Sequence, residues 1–157
     1  MIPVLQQWQR LSRYPGGKRL FSLLIGRFAR YTGTIGARVR ELEPGRSVVT
    51  MRDRPKVRNH LRSIHATALV TFGEMASGLA MVAGMPAGAR SIVTRVDAEY
   101  FRKARGRLTA LGSAPIPPSN ERQTYLATAS IRDESDEEVA RVTVHWLVGP
   151  AEERGGK

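Results

Sequence analysis

Residues 59–83 read NHLRSIHATALVTFGEMASGLAMVA, and this stretch decides the fold. After a polar entry, apolar residues recur at helical spacing from about position 65 until Gly84 and Pro86, which end the helix. Small residues are frequent along it, and small side chains let other backbones come close. We therefore predict a central helix about 28 Å long, at about 1.5 Å per residue.

Glu74 is the one acidic residue of this helix. It stands between Phe72 and Met75, and an anion buried among apolar groups is costly unless its charge is used. A half-exposed glutamate that touches solvent is the alternative. Glu74 is the strongest indication of function in the sequence.

Patterns on both sides of the central helix indicate further elements. Helices are predicted over 3–13 and 18–31, a hairpin over 34–42 and 47–54, and four later strands over 91–101, 106–113, 124–132 and 139–148. Consecutive antiparallel strands with one long helix predict an α+β fold whose sheet wraps that helix. We expect one domain over 1–150, with 1–31 as an N-terminal helical segment, and a disordered tail over 151–157.

The helix predicted over 18–31 has apolar residues at helical spacing with basic residues among and beside them. Such a helix more often packs its apolar stripe on the domain. The alternative is a helix that lies on a membrane surface.

The composition favours anionic partners. The 157 residues include 25 Lys and Arg against 14 Asp and Glu, a net charge of +11, which suits coenzyme A, an anionic membrane or nucleic acid. A merely basic surface is the alternative. The absence of cysteine excludes thiol nucleophiles and thiolate zinc sites and is compatible with the cytoplasm, the expected location. No window holds the roughly 20 apolar residues needed to cross a bilayer.

The spacing of three polar positions carries a family resemblance. Asn59 is followed after five residues by His65-Ala66, and after seven more by Glu74. In this the chain resembles hotdog-fold acyl-CoA thioesterases of the phenylacetate-pathway type, whose pattern is Asn, His-Gly and Asp or Glu. The stretch 96–106 resembles their third long strand and following turn. Residues 15–34, 42–45 and 58–60 resemble an uncharacterised bacterial branch of the same superfamily.

The resemblance spans roughly residues 15–148. It implies an enzyme of the hotdog fold that hydrolyses an acyl thioester at a dimer interface. Glu74 would be the base or nucleophile, and Ala66 N–H would polarise the carbonyl with help from the helix dipole. Asn59 would orient water or substrate, and His65 would donate to the carbonyl or fix the loop. Coenzyme A enters as part of the substrate, and no other cofactor and no metal is expected.

The pattern also departs from the family. Ala66 replaces the usual glycine. Alanine keeps the N–H, but it would not fit a site that required a positive φ. The second departure is the acid, because only some members use Glu. Purely structural roles remain open: Asn59 could turn the loop, and His65 could be a satisfied structural histidine. His60 and His145 are interpreted as structural or surface residues.

Helical geometry bears on the assembly. The nine-residue spacing between His65 and Glu74, at about 100° per residue, places them about 180° apart on one helix, so one chain cannot easily aim both at one substrate. In an antiparallel pair of helices the 59–66 loop of one subunit could meet Glu74 of the other. We expect a homodimer or a dimer of dimers with equivalent sites.

Basic residues near these positions are candidates to bind the phosphates of coenzyme A. They are Arg58 and Arg62 beside the loop, and Arg102, Lys103 and Arg105 after the third strand. A solvated rim is the alternative for each.

Two rival functions remain. The first is a non-catalytic protein of the same fold that binds acyl-CoA or a lipid-like ligand. The second is a nucleic-acid binder driven by the net charge, but with only 6% aromatic residues the chain lacks an array for stacking bases. We expect no nucleic-acid partner.

Overall fold

The computed structural model describes residues 3–151. Its helices are α1 (Val4–Leu11), α2 (Gly17–Phe28), α3 (Arg30–Gly33) and α4 (Ala66–Gly84). Its strands are β1 (Arg38–Glu43), β2 (Arg46–Met51), β3 (Ala89–Tyr100), β4 (Leu108–Ser113), β5 (Gln123–Arg132) and β6 (Glu138–Pro150). A 3₁₀ turn at Pro55–Val57 follows β2. The predicted tail, apart from Ala151, lies outside the described residues.

The six strands form one antiparallel sheet in the order β1-β2-β4-β5-β6-β3. Helix α4 packs against its inner face and contacts all six strands. The predicted α+β fold, an antiparallel sheet wrapped around a long central helix with extra N-terminal helices, is confirmed.

Small residues allow α4 to lie close to the sheet. Ser47 Oγ on β2 donates to the Ala76 carbonyl oxygen at 2.7 Å, and a Cβ at Gly112 would collide with the same oxygen. A Cβ at Gly78 would lie 2.9 Å from the Trp146 ring of β6. The close backbone approach predicted from the small residues of this helix is therefore present.

The N-terminal helices cover the β1 side of the domain. The rings of Trp8 and Phe21 meet edge to face with centroids 5.1 Å apart, and Ser22 Oγ accepts a hydrogen bond from Val39 N–H of β1 at 2.9 Å. The single helix predicted over 18–31 is present as far as Phe28, and only its last three residues are wrong, because Ala29, with φ −96° and ψ 80°, separates α2 from α3.

Helix α4 also corrects the expectation that no segment is apolar enough to cross a bilayer. Its 19 residues pass that test by length and composition. Within the protein, however, 67% of the qualifying window is buried. Its apolar character is that of a core helix surrounded by a sheet.

Candidate active site

The loop before α4 is held in shape by its own polar groups. Asn59 Oδ1 accepts hydrogen bonds from Leu61 N–H at 2.9 Å and Ser63 N–H at 3.2 Å. Ser63 Oγ and Ile64 N–H both donate to the Ala104 carbonyl oxygen, at 3.0 and 2.9 Å. The Asn59 oxygen is thus used inside the loop, as in an Asx turn, and its amide nitrogen is the group left for a substrate.

His65 caps the beginning of α4. Its Nδ1 accepts from Thr67 N–H at 3.2 Å and lies 2.8 Å from Thr67 Oγ1. His65 N–H donates to the Val57 carbonyl oxygen at 2.7 Å. A ring nitrogen that accepts from a backbone N–H carries no proton, so the ring proton of the neutral histidine belongs on Nε2. Nδ1 thus helps to fix the loop while Nε2–H stays able to donate, so both predicted roles of His65 stay predictions.

Ala66 is the exposed first residue of α4. Between residues 3 and 151, neither Ala66 N–H nor Ala68 N–H has a hydrogen-bond acceptor. Ala66 has helical geometry, and the non-glycine residues with positive φ in this range are Arg62 and Asp136. Alanine in place of the family's glycine therefore leaves an amide donor available at the positive end of the helix dipole.

Glu74 is half-buried on α4, between the buried residues Gly73 and Met75. Burial raises the pKa of its carboxyl group. No side chain or backbone group among the described residues forms a hydrogen bond or ion pair with that carboxylate. An unpaired, partly desolvated carboxylate is unfavourable for folding, and such groups are concentrated at functional sites.

Glu74→Gln is therefore expected to raise the free energy of unfolding at neutral pH. Burial raises the folded-state pKa of Glu74 above its ordinary value of 4.5. The contribution of the protonated carboxyl group to the free energy of unfolding is therefore fully present below pH 4.5, and it is lost as the pH rises through the folded-state pKa. Glutamine has no charge to desolvate, so its advantage should grow over that window. Urea unfolding from about pH 4 to about pH 8 measures this, and an advantage independent of pH would contradict it.

Six of the nine predicted site residues line two clefts beside the start of α4, and Glu74 lines neither. The first, here called the loop cleft, has a volume of about 270 Å³ and includes Asn59, Ala66, Tyr100, Arg102 and Lys103. The second has a volume of about 580 Å³ and includes Tyr31, Lys56, Arg58, His65, Thr67 and Thr71. Arg62 and Arg105 line neither of the two. The structure thus brings Asn59 and Ala66 together with two of the five predicted phosphate-binding residues.

The basic side chains differ in how they are held. Arg58 Nε donates to Asp53 Oδ1 at 2.6 Å, and this bond holds the pKa of Asp53 below its usual range. Arg102 forms a more exposed ion pair with Glu137 at 3.2 Å. Arg102, together with the exposed Lys103, can therefore turn toward an anion near Ala66 with little loss.

Tyr100 is a residue of this site that the sequence did not single out. Its hydroxyl donates to the Ala66 carbonyl oxygen at 3.3 Å, and burial raises the pKa of its phenol group. The contact joins residues 34 positions apart, so local pattern could not show it. The available signal was its position inside the stretch 96–106.

Glu74 does not meet this cleft through its own chain. It follows Ala66 by eight residues on the same helix, which is about 12 Å along the axis at about 1.5 Å per residue. The two backbone positions are thus more than two helical turns apart. A site that combines Ala66 N–H of one chain with Glu74 of a second copy stays a prediction.

Comparison with known proteins agrees with this fold. Residues 17–148 match the family model described as DUF4442, a domain of unknown function. No curated protein matches the chain. The solved structure of the genomics protein APC5556 is 29% identical, covers 94% of this chain and 99% of that chain, and has a TM-score of 0.81.

Two further solved structures are named as thioesterases. A mutant of SAV0944 from Staphylococcus aureus has a TM-score of 0.69 at 18% identity and covers 77% of this chain and 99% of that chain. HI1161 from Haemophilus influenzae has a TM-score of 0.64 at 16% identity and covers 80% of this chain and 87% of that chain. The predicted hotdog fold is confirmed by this likeness.

Proposed function

The chain belongs to the DUF4442 family, and from that premise we propose that it hydrolyses an acyl-coenzyme A thioester to the free acid and coenzyme A. The observation that carries the proposal is Glu74, a half-buried carboxylate without a partner among residues 3–151. The fold supports it, because two structures that share it are named as thioesterases.

In the proposed reaction, water attacks the carbonyl carbon while Glu74 takes a proton from it. The charge that develops on the carbonyl oxygen is bound by Ala66 N–H and by the helix dipole. The carbon–sulfur bond then breaks, and the proton passes from Glu74 to the departing sulfur of coenzyme A. A pKa raised by burial suits a group that must accept and return a proton. Direct attack by the carboxylate, giving an anhydride that water opens, is the other form of the same proposal.

We propose that the site is completed by a second copy of the chain. Strand β3 is at the edge of the sheet, and among the described residues it pairs only with β6. It is 12 residues long and exposes Ile92, Val96 and Tyr100. A long exposed edge strand is a template for pairing with another chain. Pairing of two β3 strands would bring the Glu74 face of one subunit toward the loop cleft of the other.

Arg102 and Lys103 are proposed to bind the phosphates of coenzyme A, because they share the loop cleft with Ala66. Arg58 lies in the neighbouring cleft with His65 and can contribute from that side. Arginine binds phosphate through two parallel hydrogen bonds. The chain has no cysteine and is suited to the reducing cytoplasm, where we propose that it acts.

One observation favours a second function, acyl-CoA binding without hydrolysis. Asn59 Oδ1 and His65 Nδ1 are both occupied by hydrogen bonds within the loop. Fewer polar groups are then free to handle water. In this case Glu74 would contact a polar group of the bound molecule without taking part in a reaction.

Release of free thiol from a panel of acyl-CoA esters distinguishes the two functions. We expect the unmodified protein to release coenzyme A from at least one ester with turnover of many equivalents per chain. Saturable binding of an ester without thiol release would contradict hydrolysis and support the second function. Comparison of the rates for aromatic, short aliphatic and long aliphatic esters shows which acyl group is preferred.

A further inference from the structure

Helix α2 has a second apolar face that the domain does not use. One side packs inward through Phe21 and Ser22. The other exposes four residues at spacings of three, four and eight from the first, so they share one helix face. With a tyrosine exposed at each end of the helix they form the α2 surface, which comprises Tyr14, Leu20, Leu23, Leu24, Phe28 and Tyr31.

This surface is an unusual concentration of exposed apolar area. Leu23 is 61% exposed and Phe28 is 74% exposed. Of the fourteen large hydrophobic residues exposed within residues 3–151, six lie in this segment. Single exposed leucines are ordinary in soluble proteins, but contiguous patches mark interaction sites.

The charge around the α2 surface has one sign. Residues 1–40 contain eight Arg and Lys, and the first acidic residue is Glu41. A cleft of about 500 Å³ opens beside α2 and is lined by Arg19, Arg27, Arg30 and Arg38. In the described part of the chain, none of these four forms an ion pair with a carboxylate.

The basic area continues beyond this cleft. A groove on the β1–β2 hairpin shares Arg38 with it and adds Arg40, Arg52, Arg54 and Arg107. Burial, and then the positive charges of Arg52, Arg19 and Arg40, lower the pKa of Arg38. Like charges are thus close enough to destabilise one another, and a bound anion would relieve that repulsion.

We propose that the α2 surface docks the protein on an anionic lipid bilayer. Helix α2 lies in the plane of the interface, with its leucines and Phe28 among the acyl chains. The arginines beside it contact headgroup phosphates, and Tyr14 and Tyr31 lie at headgroup level. Apolar burial and attraction to anionic lipid add together in interfacial helices of this kind.

The combination of features favours a bilayer over two other occupants. A nucleic acid would bind the arginines but leave the leucines in water. A second copy of the chain would cover the leucines but place two acid-free, arginine-rich surfaces against each other, which opposes association. An anionic bilayer satisfies both the apolar and the charged groups. The proposal does not depend on the proposed hydrolysis.

The test is co-sedimentation of the full chain with vesicles of phosphatidylcholine alone and of phosphatidylcholine mixed with phosphatidylglycerol. We expect retention on the mixed vesicles that falls as salt rises, and much weaker retention on the neutral ones. The double variant Leu23→Ser, Phe28→Ser should lower the partition coefficient at least about tenfold. Arg27→Gln and Arg30→Gln should each lower it about fivefold.

The matched controls are Leu126→Ser and Arg122→Gln. Leu126 is an exposed leucine on β5, and Arg122 is an exposed arginine in the loop before β5. They should bind as the unmodified chain does. All substituted side chains are exposed, and thermal unfolding checks that each variant is folded.

Three results would overturn the proposal. The first is no retention on anionic vesicles, or retention that the Leu23 and Phe28 substitutions leave unchanged. The second is a change of oligomeric state in that double variant without vesicle binding by the unmodified chain, which assigns the surface to a second copy. The third is salt-sensitive retention on DNA or RNA without vesicle binding.

Discussion

Glu74→Gln is expected to lower kcat for thiol release from an acyl-CoA ester by about 10³-fold, within the range of about 10² to 10⁴ for a general base. The amide has the shape of the carboxylate but cannot accept the proton of the attacking water. In the proposed reaction Glu74 does not hold coenzyme A, so KM should change little. Initial rates across a range of ester concentrations separate the two parameters.

Two further substitutions make this prediction specific to the carboxylate. Glu74→Asp keeps the charge one methylene shorter and should retain part of the activity. Glu121→Gln removes an exposed acidic side chain from the loop before β5 and should leave kcat unchanged. Turnover by Glu74→Gln equal to that of the unmodified protein would remove the proposed mechanism.

The elements predicted best from the sequence are those with long periodic patterns. The central helix predicted over 65–83 agrees with the observed Ala66–Gly84, because glycine and proline end it locally. The four later strands are also present, since alternation and turn residues mark them. These signals are local, so no tertiary information was needed.

The boundaries that failed depend on contacts between distant segments. The helix predicted over 18–31 breaks at Ala29, where the chain returns so closely that a Cβ at Gly33 would collide with Gly26. The strand predicted from 34 begins at Arg38, because Gly36 has a φ of 64° and Arg54 binds the carbonyl oxygens of Thr34 and Ile35. The local periodicity of the sequence predicts none of these contacts.

For the candidate site, the sequence indicated which residues are chemically able to act. It could not show that Asn59 Oδ1 and His65 Nδ1 are engaged within the loop, because that depends on its folded shape. It did indicate the mismatch at Glu74, since one acidic residue in an apolar helix is evident from the sequence alone. The roles of all four residues stay predictions until activity is measured.

Ala66→Pro is expected to lower kcat by about 10² to 10³-fold, the usual loss when one donor to an oxyanion is removed. Proline has no N–H, and the first position of a helix is where it fits without breaking an internal hydrogen bond. His65 already has a ψ of 141°, the extended backbone that a residue before proline prefers. The substitution should therefore remove one amide donor and leave stability nearly unchanged. Ala66→Ser keeps the N–H and should keep the activity.

The same substitution tests whether the site is shared between subunits. If Glu74 of one chain acts on a carbonyl held by Ala66 of the other, then a mixed dimer of Ala66→Pro and Glu74→Gln chains has one site with both defects and one with neither. Co-expression with random pairing should then restore about one quarter of the unmodified activity, since about half of the dimers are mixed and each has one intact site of two. Light scattering should show a dimer for each variant alone. If both groups belonged to one chain, every site in the mixture would carry a defect, and activity no higher than that of the separate variants would contradict the shared site.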